Sequence, residues 1–216
     1  MEVAIIGLGS FGSNLARELY QHGHRLTAID LDEKVLSKVN EVCEQAVVGD
    51  ARDRTLLEEL GLSLMDAAVI GLGEDLGASI LITLHLKEMG VETIVAKALS
   101  AEHEKILFRV GATRVIFPER DAAERLARSL SDPNLLDYLP LAGDYTVAEW
   151  TAPDSLVGKS LAELDLRRRY EVSVIAVREN GGKQPKVIVS PGYKFNKGDI
   201  LLLLGRQQDL ERLSKE

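Results

Sequence analysis

Val3-Ala4-Ile5-Ile6, then Gly7-Leu8-Gly9-Ser10-Phe11-Gly12, then Ser13-Asn14-Leu15-Ala16-Arg17-Glu18-Leu19: a strand, a glycine-rich turn and a helix follow one another at the start of the chain. A second apolar run, Arg25-Leu26-Thr27-Ala28-Ile29, ends on Asp30, eighteen residues past Gly12. Each part has a physical role. Gly7 permits the tight turn out of the strand, and Gly9 lets backbone N–H groups approach a pyrophosphate. Gly12 lets the helix lie close on the sheet, and the helix N-terminus supplies partial positive charge to an anion. Asp30 is placed to accept hydrogen bonds from a ribose diol. A glycine pattern alone is weak evidence; set after the first buried strand, opening a helix and followed by an acid at the end of the second strand, it reads as an adenine-nucleotide site. A carboxylate there repels a 2′-phosphate, so NAD(H), ATP or ADP is expected ahead of NADP.

The rest of the first half repeats this alternation. A helix is expected from Glu33 to Val42, a strand over 45–48, a helix over 54–60 ended by Gly61, and a strand over 67–70. The loop Gly71-Leu72-Gly73-Glu74-Asp75-Leu76-Gly77 leads into a helix over 79–89. A strand over 93–97, a helix over 101–110 and a strand over 114–117 complete the pattern. Short β-rich runs alternating with helices predict a doubly wound parallel sheet, here a Rossmann-type domain over 1–118. The pattern then changes. Residues 119–131 place Ala122, Ala123, Leu126, Ala127 and Leu130 on one side of a helix, and 119–143 reads as that helix plus a linker. From 144 to 216 strands dominate (145–150, 172–177, 186–189 and 200–204), with short helices near 158–168 and 205–213, a small α+β domain.

Bulk properties narrow the function. The 216 residues carry 26 basic and 34 acidic side chains, a net charge of −8, which argues against a broad nucleic-acid surface. No apolar run approaches the ~18–20 residues that span a bilayer, and the first strand begins so close to Met1 that no signal segment is expected. A cytoplasmic protein without direct membrane insertion follows, any membrane association coming through a partner. Cys43, the single cysteine, forms no internal disulfide and reads as a small packed hydrophobe.

The candidate nucleotide set is Gly7, Leu8, Gly9, Ser10, Phe11, Gly12, Asp30, Leu31, Asp32, Gly49, Asp50, Ala51, Gly71, Leu72, Gly73 and Lys97. Asp32 either assists at the mouth or caps the next helix. Asp50 is placed to accept from the adenine amino group, to cap the following helix, or both. Gly71 and Gly73 bring backbone near the ribose-phosphate region. Lys97 either offsets the charge of Glu74 and Asp75 or is an ordinary surface lysine. A dehydrogenase needs a proton donor or acceptor beside its nicotinamide, and His22, His24, His85 and His103 do not sit where one is needed. The chain reads as binding a nucleotide without machinery to transform it.

Gly7 to Gly12, Ala28-Ile29-Asp30, Gly49-Asp50-Ala51, Ala96-Lys97-Ala98, Gly111-Ala112 and Ile116-Phe117-Pro118-Glu119 resemble the KTN/RCK (TrkA-N) domain, and the tail from about Asp144 resembles the TrkA-C domain. The match is closest to regulatory subunits of Ktr-type potassium uptake systems. It implies a non-catalytic cytosolic gating subunit that dimerises, builds an octameric ring and docks on a membrane-embedded potassium channel or transporter, with ATP, ADP or NAD(H) selecting the ring shape. The resemblance also implies that Glu119 holds a divalent cation across a dimer interface; a helix-start acid favoured by the macrodipole is the other reading. It further implies that Leu161, Ala162 and Arg167 bind cyclic di-AMP between two C-terminal domains, a solvated basic cluster over 167–169 being the alternative. The chain departs from the family at Ser10, where regulators that sense a γ-phosphate carry an arginine, which shifts the expectation toward NAD(H), ADP or AMP. An NAD-dependent oxidoreductase and a regulator of another cation transporter are the competing readings.

Overall fold

In a computed structural model, which describes residues 1–213, the chain divides into two compact units, Met1–Glu119 and Arg120–Glu216. The first is built on β1 (Glu2–Ile6), β2 (Arg25–Asp30), β3 (Gln45–Val48), β4 (Ala67–Ile70), β5 (Thr93–Lys97) and β6 (Arg114–Ile116). They form one sheet in the order β3-β2-β1-β4-β5-β6, parallel throughout. This is the nucleotide-binding order, with its reversal between β1 and β4.

The central strands are buried on both faces, successive side chains of a strand pointing to opposite sides. Ala4 and Ile6 join one apolar cluster with Ile29, Ala68, Ile70 and Ile94. Val3 and Ile5 join another with Leu26, Ala28 and Val69. The crossovers are α1 (Ser10–Gln21), α2 (Glu33–Leu36), α3 (Arg54–Glu59), α4 (Leu76–Glu88) and α5 (Ala101–Val110).

Two of these helices differ from expectation. The helix predicted over 33–42 stops at Leu36 and resumes only as a 3-10 turn, Asn40–Val42. Ser37 Oγ donates to the Lys34 carbonyl at 2.9 Å, and Ser, Val and Asn are weak helix formers. Conversely α4 begins three residues before the predicted start, because the Asp75 carboxylate accepts from the Ala78 N–H at 2.8 Å and caps it.

The second unit begins within α6 (Pro118–Ser131). Its sheet contains β7 (Leu135–Pro140), β8 (Tyr145–Thr151), β9 (Ser173–Arg178), β10 (Lys186–Val187) and β11 (Ile200–Arg206), antiparallel in the order β10-β9-β11-β8-β7. Part of the segment expected to be linker therefore pairs as an edge strand, where Pro140 is tolerated. On β8 the residues Thr146, Ala148 and Trp150 alternate inward. Trp150, Val177, Phe195, Leu201 and Leu203 form the core, and the Trp150 indole N–H donates to Asp132 at 3.1 Å. The predicted short helix is two, α7 (Leu161–Leu164) and α8 (Leu166–Tyr170), separated by Asp165 at a φ of 42°. A reciprocal Ser160–Glu163 capping box starts α7, a motif that stabilises by about 1 kcal/mol. The closing helix is α9 (Gln207–Leu213).

Candidate nucleotide-binding site

The first turn is shaped by two glycines. Gly7 leaves β1 with φ +87°, a conformation that disfavours side chains, and Leu72 lies where its Cβ would be. A Cβ on Gly12 would stand 2.1 Å from the Gly7 carbonyl oxygen. Only glycine lets the first turn of α1 descend so far onto the strand. Gly9 is the N-cap of α1, and no side chain caps this end. The first N–H groups of α1 thus face outward as donors for an anion. Ser13 Oγ donates to the Leu8 carbonyl at 2.5 Å and ties the loop to the helix.

Asp30 ends β2, part-buried, beside this turn. One carboxylate oxygen accepts the Leu8 N–H at 2.6 Å and the other accepts the Asp32 N–H at 2.9 Å. A carboxylate offers about four lone-pair directions, so two backbone bonds fix its orientation and leave acceptor capacity. Leu8 contributes through its backbone, its side chain being 1% exposed in the core.

Asp30 opens onto a cavity of about 120 Å³ lined by Gly7, Leu31, Gly49, Asp50, Ala51 and Leu72, with Ile6, Ile29, Arg52, Asp75, Ala78 and Ile82. The carboxyl ends of β1, β2 and β3 meet there, as ligand sites of open α/β sheets do. Leu31 is an exposed lip, while Ile29, Ile82 and Ala78 form an apolar floor. Gly71 packs against the turn, a Cβ on it lying 2.9 Å from the Gly7 oxygen, and Gly73 faces open space.

Several of the alternatives left open by the sequence take a definite local form. Asp32 caps α2 through the Lys34 N–H at 2.8 Å. Asp50 does not cap the next helix; Asp53 does, accepting from the Thr55 N–H at 2.9 Å. Asp50 instead makes a bidentate pair with Arg52, which holds the Asp50 carboxyl below its usual range. Lys97 is not a surface lysine: it is 8% exposed, and its Nζ donates to Glu119 Oε1 at 2.9 Å. It is outside the cavity lining. That pair lowers the Glu119 carboxyl and places a positive charge where a cation was expected, so one protomer does not by itself form a divalent site there. Among the described residues no group of three or more His, Cys, Asp or Glu is placed to hold a metal.

Arg52 is the charged lining residue that sequence reading passed over, along with the apolar Ala78 and Ile82. Its only signal is the Asp-x-Arg spacing in a turn. His103 has a structural place: its Nε2 lies 2.9 Å from Ser79 Oγ, joining α5 to α4, and no histidine lines the cavity. In the second unit Leu161, Ala162 and Arg167 meet around a cavity of about 270 Å³, with Asp165, Leu166, Val172, Ser173 and Val174. The three consecutive arginines diverge, Arg168 toward Asp165 and Arg169 toward Tyr170.

A six-stranded nucleotide-binding sheet followed by a small antiparallel domain defines the class, and sequence comparison identifies it. Residues 3–118 match the TrkA-N domain model and 147–216 the TrkA-C domain model; the chain belongs to the KTN/RCK (TrkA-N plus TrkA-C) family. It is 39% identical over 216 residues, 99% of this chain and 96% of the relative, to Ktr system potassium uptake protein C of Bacillus subtilis (strain 168). Among solved structures, the GsuK channel bound to NAD superposes with a TM-score of 0.55 at 22% identity, over 99% of this chain and 38% of that one. The C-terminal domain of Kef from Shewanella denitrificans in its AMP-bound form has a TM-score of 0.53 at 27% identity, over 61% of this chain and 80% of that one. No described helix is long and apolar enough to cross a membrane.

Proposed function

We propose that this chain is a nucleotide-sensing regulatory subunit of a potassium transport system, acting by conformation rather than by catalysis. The observation that carries the proposal is the Asp30 carboxylate, oriented by two backbone N–H groups at the cavity beside the uncapped start of α1. In this reading the ribose hydroxyls meet Asp30, the base enters the apolar floor toward Asp50, and the phosphates meet α1. NAD(H), ADP or ATP fits, and a 2′-phosphorylated dinucleotide is repelled. The AMP-bound Kef relative supports an adenine nucleotide, and the full-length likeness to Ktr protein C supports the potassium partner.

Sensing requires an assembly with two shapes, since a ligand shifts an equilibrium only by its differential affinity for the two states. The first unit carries apolar surface suited to self-association: Leu81 and Leu84 on α4 and Ile106 and Phe108 on α5 are all exposed. Helix α6 adds Leu126 and Leu130, at 60% and 77% exposure, as the element that crosses to a dimer partner. The ring is octameric in this proposal and sits on the cytoplasmic face of the membrane through its channel or transporter. The cavity at Leu161, Ala162 and Arg167 would take cyclic di-AMP between two copies, and a cation at Glu119 requires a second protomer's carboxylate to outweigh Lys97. Potassium flux through proteoliposomes carrying a Ktr-type membrane subunit tests the function. Flux should depend on adding this protein and change when ADP is exchanged for ATP or NADH; flux indifferent to the protein would overturn it.

A further inference from the structure

At the base end of the cavity, Asp50 and Arg52 form one unit. Arg52 Nε lies 2.9 and 3.0 Å from the two Asp50 oxygens, Arg52 Nη2 lies 2.6 Å from Asp50 Oδ2, and the Arg52 N–H donates to Asp50 Oδ1 at 3.0 Å. Arg52 Nη1 also reaches 3.8 Å from Asp75 Oδ2, at the start of α4. All three residues line the cavity. The guanidinium thus bridges the two loops that bound the base end of the site.

The chemistry of the bases makes this arrangement consequential. A free carboxylate accepts hydrogen bonds only, so it favours the 6-amino group of adenine and repels the 6-oxo group of hypoxanthine or guanine. A guanidinium does the reverse, donating to a 6-oxo group and N7. With both Asp50 oxygens engaged by Arg52, the acceptor that would select adenine is largely neutralised, and a donor stands beside it.

Resting on the nucleotide-binding reading above, we infer that Arg52 is the residue that sets base specificity: paired with Asp50 it relaxes selection for adenine over 6-oxopurines. The pair is exposed enough to exchange partners, with side-chain exposures of 49% for Arg52 and 40% for Asp50. An adenine nucleotide enters by taking Asp50 from Arg52, and a 6-oxopurine nucleotide enters by bonding Arg52 with the pair intact.

The test is calorimetric titration of the full-length protein with ADP and with inosine diphosphate, which differ in the 6-substituent and its ring tautomer. The wild-type protein should prefer ADP by less than about threefold, the two routes being nearly balanced. Arg52→Ala should raise the preference to about tenfold or more, the scale of one hydrogen bond to a charged group. Adding Asp50→Ala to Arg52→Ala should return the ratio to near unity, since both polar groups are then gone. Strong ADP preference in the wild-type protein that Arg52→Ala leaves unchanged, or a preference that survives the double substitution, overturns the inference while leaving nucleotide binding intact. Failure of the wild-type protein to bind ADP, ATP and NADH alike overturns the parent reading and this inference with it, while binding of NADH with neither diphosphate bound overturns the inference alone.

Discussion

At Gly12 a single hydrogen atom in place of a methyl group determines whether the first helix can approach its strand. The obstacle to a Cβ is the Gly7 carbonyl, which is backbone and cannot rotate away. Gly12→Ala is therefore expected to destabilise the protein by about 2–3 kcal/mol, the scale of overpacking in a closed site, and to weaken nucleotide binding by displacing α1. Urea unfolding measures the first effect; a stability loss within about 0.5 kcal/mol of zero would contradict the geometry. The glycines and Asp30 were legible in the sequence because each has a backbone or charge requirement that few residues meet. Arg52 was not, because an exposed arginine two residues beyond an aspartate looks like ordinary solvated surface until the turn folds it back. Lys97 and Glu119 were each visible alone, but their 2.9 Å pairing depends on β5 and the start of α6 being brought together by the sheet.

Between elements, the junction of α4 and α5 is held by a buried imidazole. His103 is 3% exposed, and its two nitrogens face Ser79 Oγ at 2.9 Å and the Leu99 N–H at 3.4 Å. An acceptor at Nδ1 and a donor at Nε2 describe a neutral ring, and burial pushes its pKa below the ordinary value. The unfolded chain takes up a proton near pH 6.5 that the folded protein resists. Stability should thus fall as pH drops from about 6.5 toward the folded-state pKa and level off below it. His103→Leu is expected to flatten this segment of the stability profile, read as the change in urea midpoint between pH 7.5 and 5.5. An unchanged pH slope in the variant would show that other groups carry it.

The four central parallel strands, β1, β2, β4 and β5, were legible because each is a short apolar run bounded by turn residues, and burial on both faces leaves little polar alternation to confuse. β7 escaped for the opposite reason. At the sheet edge it is mostly exposed, and Asp137 and Pro140 disguise it as a linker. The helix expected over 33–42 failed because periodicity carried it through Ser37 and Asn40, residues whose local bonding competes with helix.

Across the whole molecule, the balance of exposed apolar surface argues for an assembly. α4 is apolar around much of its circumference, and a helix of that kind needs cover on more than one side. Leu84→Asp combined with Phe108→Asp is expected to convert the proposed assembly into smaller species, seen by sedimentation or light scattering, with thermal stability of the protomer changed little because both positions are exposed. A wild-type protein that sediments as a monomer, or a variant that assembles as the wild type does, would contradict the proposed interface. A nucleotide that changes the shape of the proposed assembly must bind its two shapes with different affinities.

The account stands on an oriented acid gripping an adenosine sugar, and calorimetric titration of ADP or NAD into wild-type protein and Asp30→Asn tests it most directly. Asparagine keeps an acceptor for one of the two backbone N–H groups while removing the charge that the ribose hydroxyls would meet. The prediction is saturable binding by the wild-type protein and an affinity about tenfold to a hundredfold weaker in the variant, the range for losing hydrogen bonds to a charged group, with both proteins folded at the assay temperature and the variant's thermal unfolding lowered only by the loss of one backbone hydrogen bond. Equal affinity in the two proteins would contradict it.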